Sequence, residues 1–284
     1  MTDLLKIYWL SIIASAVLAA GLSLLGAQLA ARDRAMQTLC IGQGATFGVL
    51  LGISLVTTFS KATSSIAVSL VVFLFALSAS VLTWLWGQHI AKIKSASTNT
   101  HFASQFSVLM AMGFILTAVN PTLEAHMSQK YFGDLATMTD FTAFFVGGLG
   151  LITTLALAIF AKHVTGDSFA AAILGVRGGR TEPYFTFGTV LLLCLSVQLV
   201  GFLFTVACLF IPTATLSLSR QAGLQRHLSS CAVVASLGTV VGFLLTLVIP
   251  RLPTVATVVC AVSLSSFILP RVFPRPSKKF RQVN

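Results

Sequence analysis

Residues Tyr184 to Leu218 read YFTFGTVLLLCLSVQLVGFLFTVACLFIPTATLSL, 35 residues without a charged side chain. As one helix they would measure about 52 Å at 1.5 Å per residue, against a hydrocarbon core of about 30 Å. The stretch is too apolar to face water and too long for one crossing, so the chain must break within it. The break is predicted at Ser196 to Gly201. Pro212 is expected to bend or break the second half again, leaving a short helix buried among others.

The rest of the chain repeats the pattern. Apolar runs extend over Ile7–Leu29, Met36–Thr57, Ser64–Trp86, Phe102–Val119 and Phe141–Ala161, then Tyr184–Leu199, Val200–Leu218, Leu228–Ile249 and Thr254–Leu269. Only 9% of the 284 residues are charged, where a soluble domain carries about 25%. That excludes a soluble enzyme, a disordered chain and a disulfide scaffold. The expected fold is all-α, a polytopic membrane protein of eight to nine transmembrane helices forming a single transmembrane domain over residues 1–284, with a basic tail at 270–284. Cys40, Cys194, Cys208, Cys231 and Cys260 lie within apolar runs without paired spacing, which reads as small buried side chains. The first run resembles a signal peptide in its small residues, but its leading segment has no net positive charge and Arg32 and Arg34 follow it, so it reads as a retained helix.

The net charge of +11 invites a nucleic-acid reading, but the basic residues stand singly or in pairs between apolar runs rather than on one basic face. The positive-inside rule accounts for them instead. With the amino terminus outside and nine crossings, the inside segments hold Arg32, Arg34, Lys92, Lys94, Lys162, Arg177, Arg180, Arg220, Arg226, Arg271, Arg275, Lys278, Lys279 and Arg281, 14 of the 18 basic residues. Lys6, Lys61, Lys130 and Arg251 stay outside. A single crossing over Tyr184–Leu218 would invert everything downstream, so the charges also support the break near Gly201. The carboxyl terminus is then cytoplasmic.

Catalytic signatures do not appear. The chain has no Gly-x-x-x-x-Gly-Lys-Ser/Thr phosphate loop, no His-Glu-x-x-His and no nucleophile elbow. By the boundaries above no Asp or Glu lies inside a span, whereas ion-coupled carriers usually keep a carboxylate there. A passive pathway driven by a separate partner is the reading that remains, with a standalone carrier as the competing class and a non-transport membrane scaffold third.

Two segments are candidates for function. In the second run Gly44, Gly48 and Gly52 recur every four residues, giving one helical face on which another backbone can approach closely, either as static packing or as a face that moves in gating. Cys40, Gln43 and Phe47 follow another side, and Gln43 reads either as an interhelical hydrogen bond or as a ligand. The internal segment Gly166–Glu182 opens with Asp167, runs through Ser168-Phe169-Ala170-Ala171-Ala172-Ile173-Leu174 and ends at Gly175-Val176-Arg177-Gly178-Gly179-Arg180. Asp167 can cap a short helix and Gly175 can end it. Such a helix, flanked by Arg, suits docking to a soluble partner or rest on lipid headgroups.

The order of motifs resembles the membrane permeases of ABC-type zinc and manganese importers, the ABC-3 family. Gly21-Leu22-Ser23-Leu24-Leu25-Gly26 with Arg32 is similar to the family's Ser-Leu-Leu-Gly entry and its following Arg, and Tyr131-Phe132-Gly133-Asp134-Leu135 to its Leu-Phe-Gly-Asp-Ile-Leu stretch. Val200-Gly201-Phe202-Leu203 through Cys208-Leu209-Phe210-Ile211-Pro212-Thr213-Ala214-Thr215 is the most specific match. Leu252-Pro253-Thr254-Val255-Ala256-Thr257-Val258-Val259 resembles the closing motif. The resemblance implies a permease homodimer in the cell (inner) membrane, working with a separate ATP-binding subunit and an extracytoplasmic substrate-binding protein. It implies no bound cofactor and no catalytic residue on this chain, ATP on the partner, and a transported divalent metal. Asp167 to Val176, including Ala171, Leu174 and Gly175, with Arg177 beyond, takes the place of the coupling helix to the ATPase. Gly201 and Pro212 join the glycine stripe as gating or packing positions.

The departures concern the cargo. Family members place an Asp and a His four apart in the second span to hold the metal; here those positions are Leu39 and Gln43, and the Asp of the closing motif corresponds to Arg251. Leucine supplies no ligand. Three explanations stay open: a moved site using Cys40 and Gln43, helped by His126 and Glu124; a weakly held metal selected upstream by the binding protein; or a cargo that is not a free metal ion.

Overall fold

A chain this apolar must satisfy its backbone polar groups internally, and helices do so segment by segment. The computed structural model describes residues 2–59, 65–93, 98–133, 135–160, 163–164, 166–167, 182–217, 224–249 and 252–272. The major elements are α1 (Thr2–Ala31), α2 (Ala35–Phe59), α3 (Ser65–Ile93), α4 (Thr98–Val119), α5 (Leu123–Phe132), α6 (Asp140–Ile159), α7 (Glu182–Leu199), α8 (Phe202–Ser217), α9 (Leu224–Val248) and α10 (Thr254–Val272). Among the described residues seven of these are long and apolar enough to cross a membrane, and the apolar stretches Phe202–Leu216 and Thr254–Ile268 are shorter. The chain is a multi-pass membrane protein with an all-helical fold.

The charge-free stretch divides where the sequence requires it. Helix α7 ends at Leu199, Val200 turns, and Gly201 adopts φ +104° before α8 begins. Pro212 does not break α8, which runs through it without interruption. Its missing N–H leaves the helix one bond short, yet Thr213 and Thr215 donate their hydroxyls to Leu209 O and Ile211 O and tie the following turn back to the helix. Helix α5 is an addition to the sequence reading, which left the segment between the fourth and fifth spans unassigned. Its ten residues are half polar, and Gly133 at φ +76° ends it with its N–H on Gln129 O. Asp140 and Glu182 stand at the first positions of α6 and α7, where an acid favours the helix dipole.

Helix α1 lies at the centre, with Leu18, Ala19 and Leu22 fully buried, and it packs against α6, α8 and α9. Helices α2, α3 and α4 form a second group joined to the first through α7. The turn between α1 and α2 is tight. Asp33 sits at φ 53°, Asp33 N bonds Ala30 O, and Arg34 N reaches back to Leu29 O at 3.0 Å, the pair of bonds of a Schellman ending with Asp where glycine is usual.

Candidate functional site

The glycine stripe of α2 faces α3. A Cβ on Gly44 would lie 2.6 Å from Thr83 Oγ1, on Gly48 2.5 Å from Phe75 O, and on Gly52 3.1 Å from Val72 Cα. As the α2 numbers rise, the α3 numbers fall, so the helices run antiparallel with backbone against backbone. This seam aims another side of α2, carrying Cys40 and Gln43, at α4 and α5.

Gln43 is 0% exposed, and its Nε2 donates to the Tyr131 hydroxyl of α5. Its Oε1 is buried without a hydrogen-bond partner among the described residues. Tyr131 stands edge-on to Phe202 at 6.1 Å between ring centroids, and Phe202 meets Phe106 of α4 at 6.3 Å. Burial raises the Tyr131 phenol above its ordinary pKa while the Gln43 bond acts the other way, so the phenol stays neutral. Cys40, also 0% exposed, is engaged elsewhere: its thiol donates to Gln105 Oε1 at 3.5 Å, and Gln105 Nε2 donates to Thr83 O at 3.2 Å. Leu39 is half-buried and His126 and Glu124 of α5 are exposed. Among the described residues no three His, Cys, Asp or Glu side chains cluster as a metal site. The sequence-predicted pair is therefore close in sequence but shared between two polar contacts, thiol to amide and amide to phenol.

Tyr131 and Gln105 were not singled out by sequence reasoning. Tyr131 carried a signal as the first residue of a motif, but its partner across the bundle was not visible.

Helix α5 is fixed in place at its other end by the break between α7 and α8. A Cβ on Gly201 would lie 2.6 Å from Gly133 Cα, and one on Gly133 would lie 1.9 Å from Val200 O, so backbone already fills the room a side chain would need at either glycine. Lys130 Nζ donates to Gln198 O at 2.7 Å, placing a cation on the carbonyl end of α7. Burial lowers the Lys130 pKa from the usual lysine value. Ser196 and Thr205 join hydroxyls across the break at 2.7 Å.

A charged cluster occupies the turn between α1 and α2. Arg32 NH1 donates to Glu182 Oε2 at 2.6 Å and its NH2 to Val164 O at 3.1 Å, with the guanidinium 3.9 Å from the Phe185 ring centroid. Arg34 pairs with Glu182 Oε1 and donates to Thr186 Oγ1 at 3.0 Å. Burial lowers the Arg32 pKa most, Glu182 and Asp167 favour its charge, and Arg34 opposes it. The Arg32 side chain is 2% exposed, and stranding such a charge by removing its partner costs about 3–5 kcal/mol. Glu182 was read from sequence only as the end of a segment, Arg34 only as an orientation signal, and Arg32 as an orientation signal and part of a family motif. Asp167 is helical, while Ala171, Leu174, Gly175 and Arg177 lie outside the described residues.

A model of the ABC 3 transport family matches residues 5–272. The manganese import system permease protein ScaB of Streptococcus gordonii is 27% identical over 173 residues, 59% of this chain and 60% of that protein, so the alignment spans under two thirds of the relative's length. The solved structure of PsaBC from Streptococcus pneumoniae in complex with Fab superposes with a TM-score of 0.74 at 19% identity, covering 95% of this chain and 94% of that one. At that identity the likeness concerns the fold.

Proposed function

The chain belongs to the ABC 3 transport family, and from that premise we propose that it is the membrane-spanning permease subunit of an ABC-type importer for a divalent metal ion, zinc or manganese. The family match over residues 5–272 carries the reading. The manganese import permease of S. gordonii supports a metal as cargo. Two copies pair with two ATP-binding subunits, on which ATP is hydrolysed, and with an extracytoplasmic substrate-binding protein. The chain crosses the membrane nine times, amino terminus outside and carboxyl terminus in the cytoplasm. ATP binding closes the ATPase pair, moves the 166–182 segment and rocks the helices between outward- and inward-facing states.

Along the route Gln43 presents a neutral carbonyl oxygen and Cys40 a soft thiol. Neutral donors hold a divalent ion weakly, because desolvating the ion has no anionic compensation. Selection of the metal then belongs to the binding protein. A cargo other than a free ion is favoured by one observation: among the described residues no three His, Cys, Asp or Glu side chains gather to hold a bare cation.

Elemental analysis of cells expressing the complete transporter, with and without this chain, tests the reading. Zinc or manganese accumulation that depends on the chain is expected. Accumulation independent of it, with an ATPase still co-purifying, overturns the metal cargo; absence of any co-purifying ATPase overturns the permease.

A further inference from the structure

Two residues of one turn hold two distant parts of the chain. The Arg32–Arg34 turn joins α1 to α2, and its two guanidinium groups reach Val164 O on one side of residues 168–181 and Glu182 with Thr186 on the other. We propose that Arg32, Arg34 and Glu182 form a positioning clamp that transmits movement of the partner ATPase from the two stems flanking residues 168–181 into α1 and α2 together. The proposal rests on the permease reading above.

The geometry supports transmission in four ways. First, the turn is stiff: the two backward bonds to Ala30 O and Leu29 O fix Arg32 and Arg34 relative to α1. Second, the clamp grips both stems, so displacement of either one is passed to the same three-residue turn. Third, the turn leads directly into the most buried helix, α1, and into α2, which carries Gln43 about two and a half helical turns beyond Arg34, at about 3.6 residues per turn. Fourth, the contacts demand arginine. Arg32 spans a carboxylate, a carbonyl and an aromatic face at once, and Arg34 spans a carboxylate and a hydroxyl; a lysine ammonium cannot reproduce either planar fork.

The test uses the complete transporter reconstituted in liposomes with its ATPase and binding protein, comparing wild type with Glu182→Gln and Arg34→Lys at matched amounts of assembled complex. Basal ATP hydrolysis and co-purification of the ATPase are expected to persist. Stimulation by the loaded binding protein, and cargo moved per ATP, are expected to fall about tenfold, within the usual range of coupling between sites. Arg34→Lys keeps the charge and serves as the reading if Glu182→Gln does not assemble. Wild-type cargo per ATP in Arg34→Lys overturns the clamp, as does a fall in transport that only tracks the amount of complex. Failure of the wild-type chain to bind an ATPase defeats the permease reading instead, and the two failures are distinct.

Discussion

At the residue scale the pairing of Gln43 with Tyr131 is the most consequential contact. Tyr131→Phe removes the hydroxyl to which the Gln43 amide donates and leaves a fully buried amide without a partner, costing about 1–3 kcal/mol. The expected result is a lower thermal unfolding temperature in detergent, whereas Gln43→Leu with Tyr131→Phe recovers much of the loss because both polar partners are gone. Equal losses in the single and double variants would remove the pair from the account. For transport, the Cys40→Ala, Gln43→Ala double variant is expected to take up less metal at unchanged expression, and unchanged uptake would strip both side chains of a cargo role. Gln43 was legible in the sequence as an isolated amide in an apolar run. Its use was not, because hydrogen-bond partners 88 residues apart are set by helix packing rather than by spacing.

At the element scale the two glycine arrangements differ in what they require. Gly201→Ala forces a side chain onto φ +104° and brings its Cβ within 2.6 Å of the Gly133 backbone, so a loss of at least about 1–3 kcal/mol is expected. Gly48→Ala is expected to part α2 from α3, since its Cβ would meet backbone at 2.5 Å. Gly188 in the middle of α7 has nothing within 4 Å of a Cβ, and Gly188→Ala is expected to stabilise by about 0.5–1 kcal/mol. Thermal unfolding of the three variants should rank Gly188→Ala above wild type and the other two below. The stripe at Gly44, Gly48 and Gly52 was readable from its period, and Gly201 from the length of the uncharged run. Helix α5 escaped because ten mixed polar residues carry no strong apolar period, and its position depends on Gly133 meeting Gly201. At Pro212 the short helix expected there is present, 16 residues long, but it is not broken, because neighbours and nearby threonine hydroxyls support the turn that lacks an N–H.

At the scale of the whole molecule, hydropathy located the apolar helices and charge proposed their direction, two signals that arise from different physics. Removing apolar side chains from water sets where helices lie, while the asymmetry of Lys and Arg between loops sets which ends stay in the cytoplasm. Helix α4 offers a direct test because its ends are well separated: Asn99 and the adjoining turn residue Thr122 are both exposed, and a helix of about 22 residues spans roughly the hydrocarbon thickness. In a background without the native cysteines, Thr122→Cys should react with an impermeant thiol reagent in intact cells, and Asn99→Cys only after the membrane is opened. The same reagent applied to a cysteine added after Asn284 should behave like Asn99→Cys, because the paired crossings α7 and α8 keep the basic tail on the side of Lys92 and Lys94. If the tail instead labels like Thr122→Cys, an odd number of crossings has been lost or gained downstream of α4, and Tyr184–Leu218 is where two would have become one.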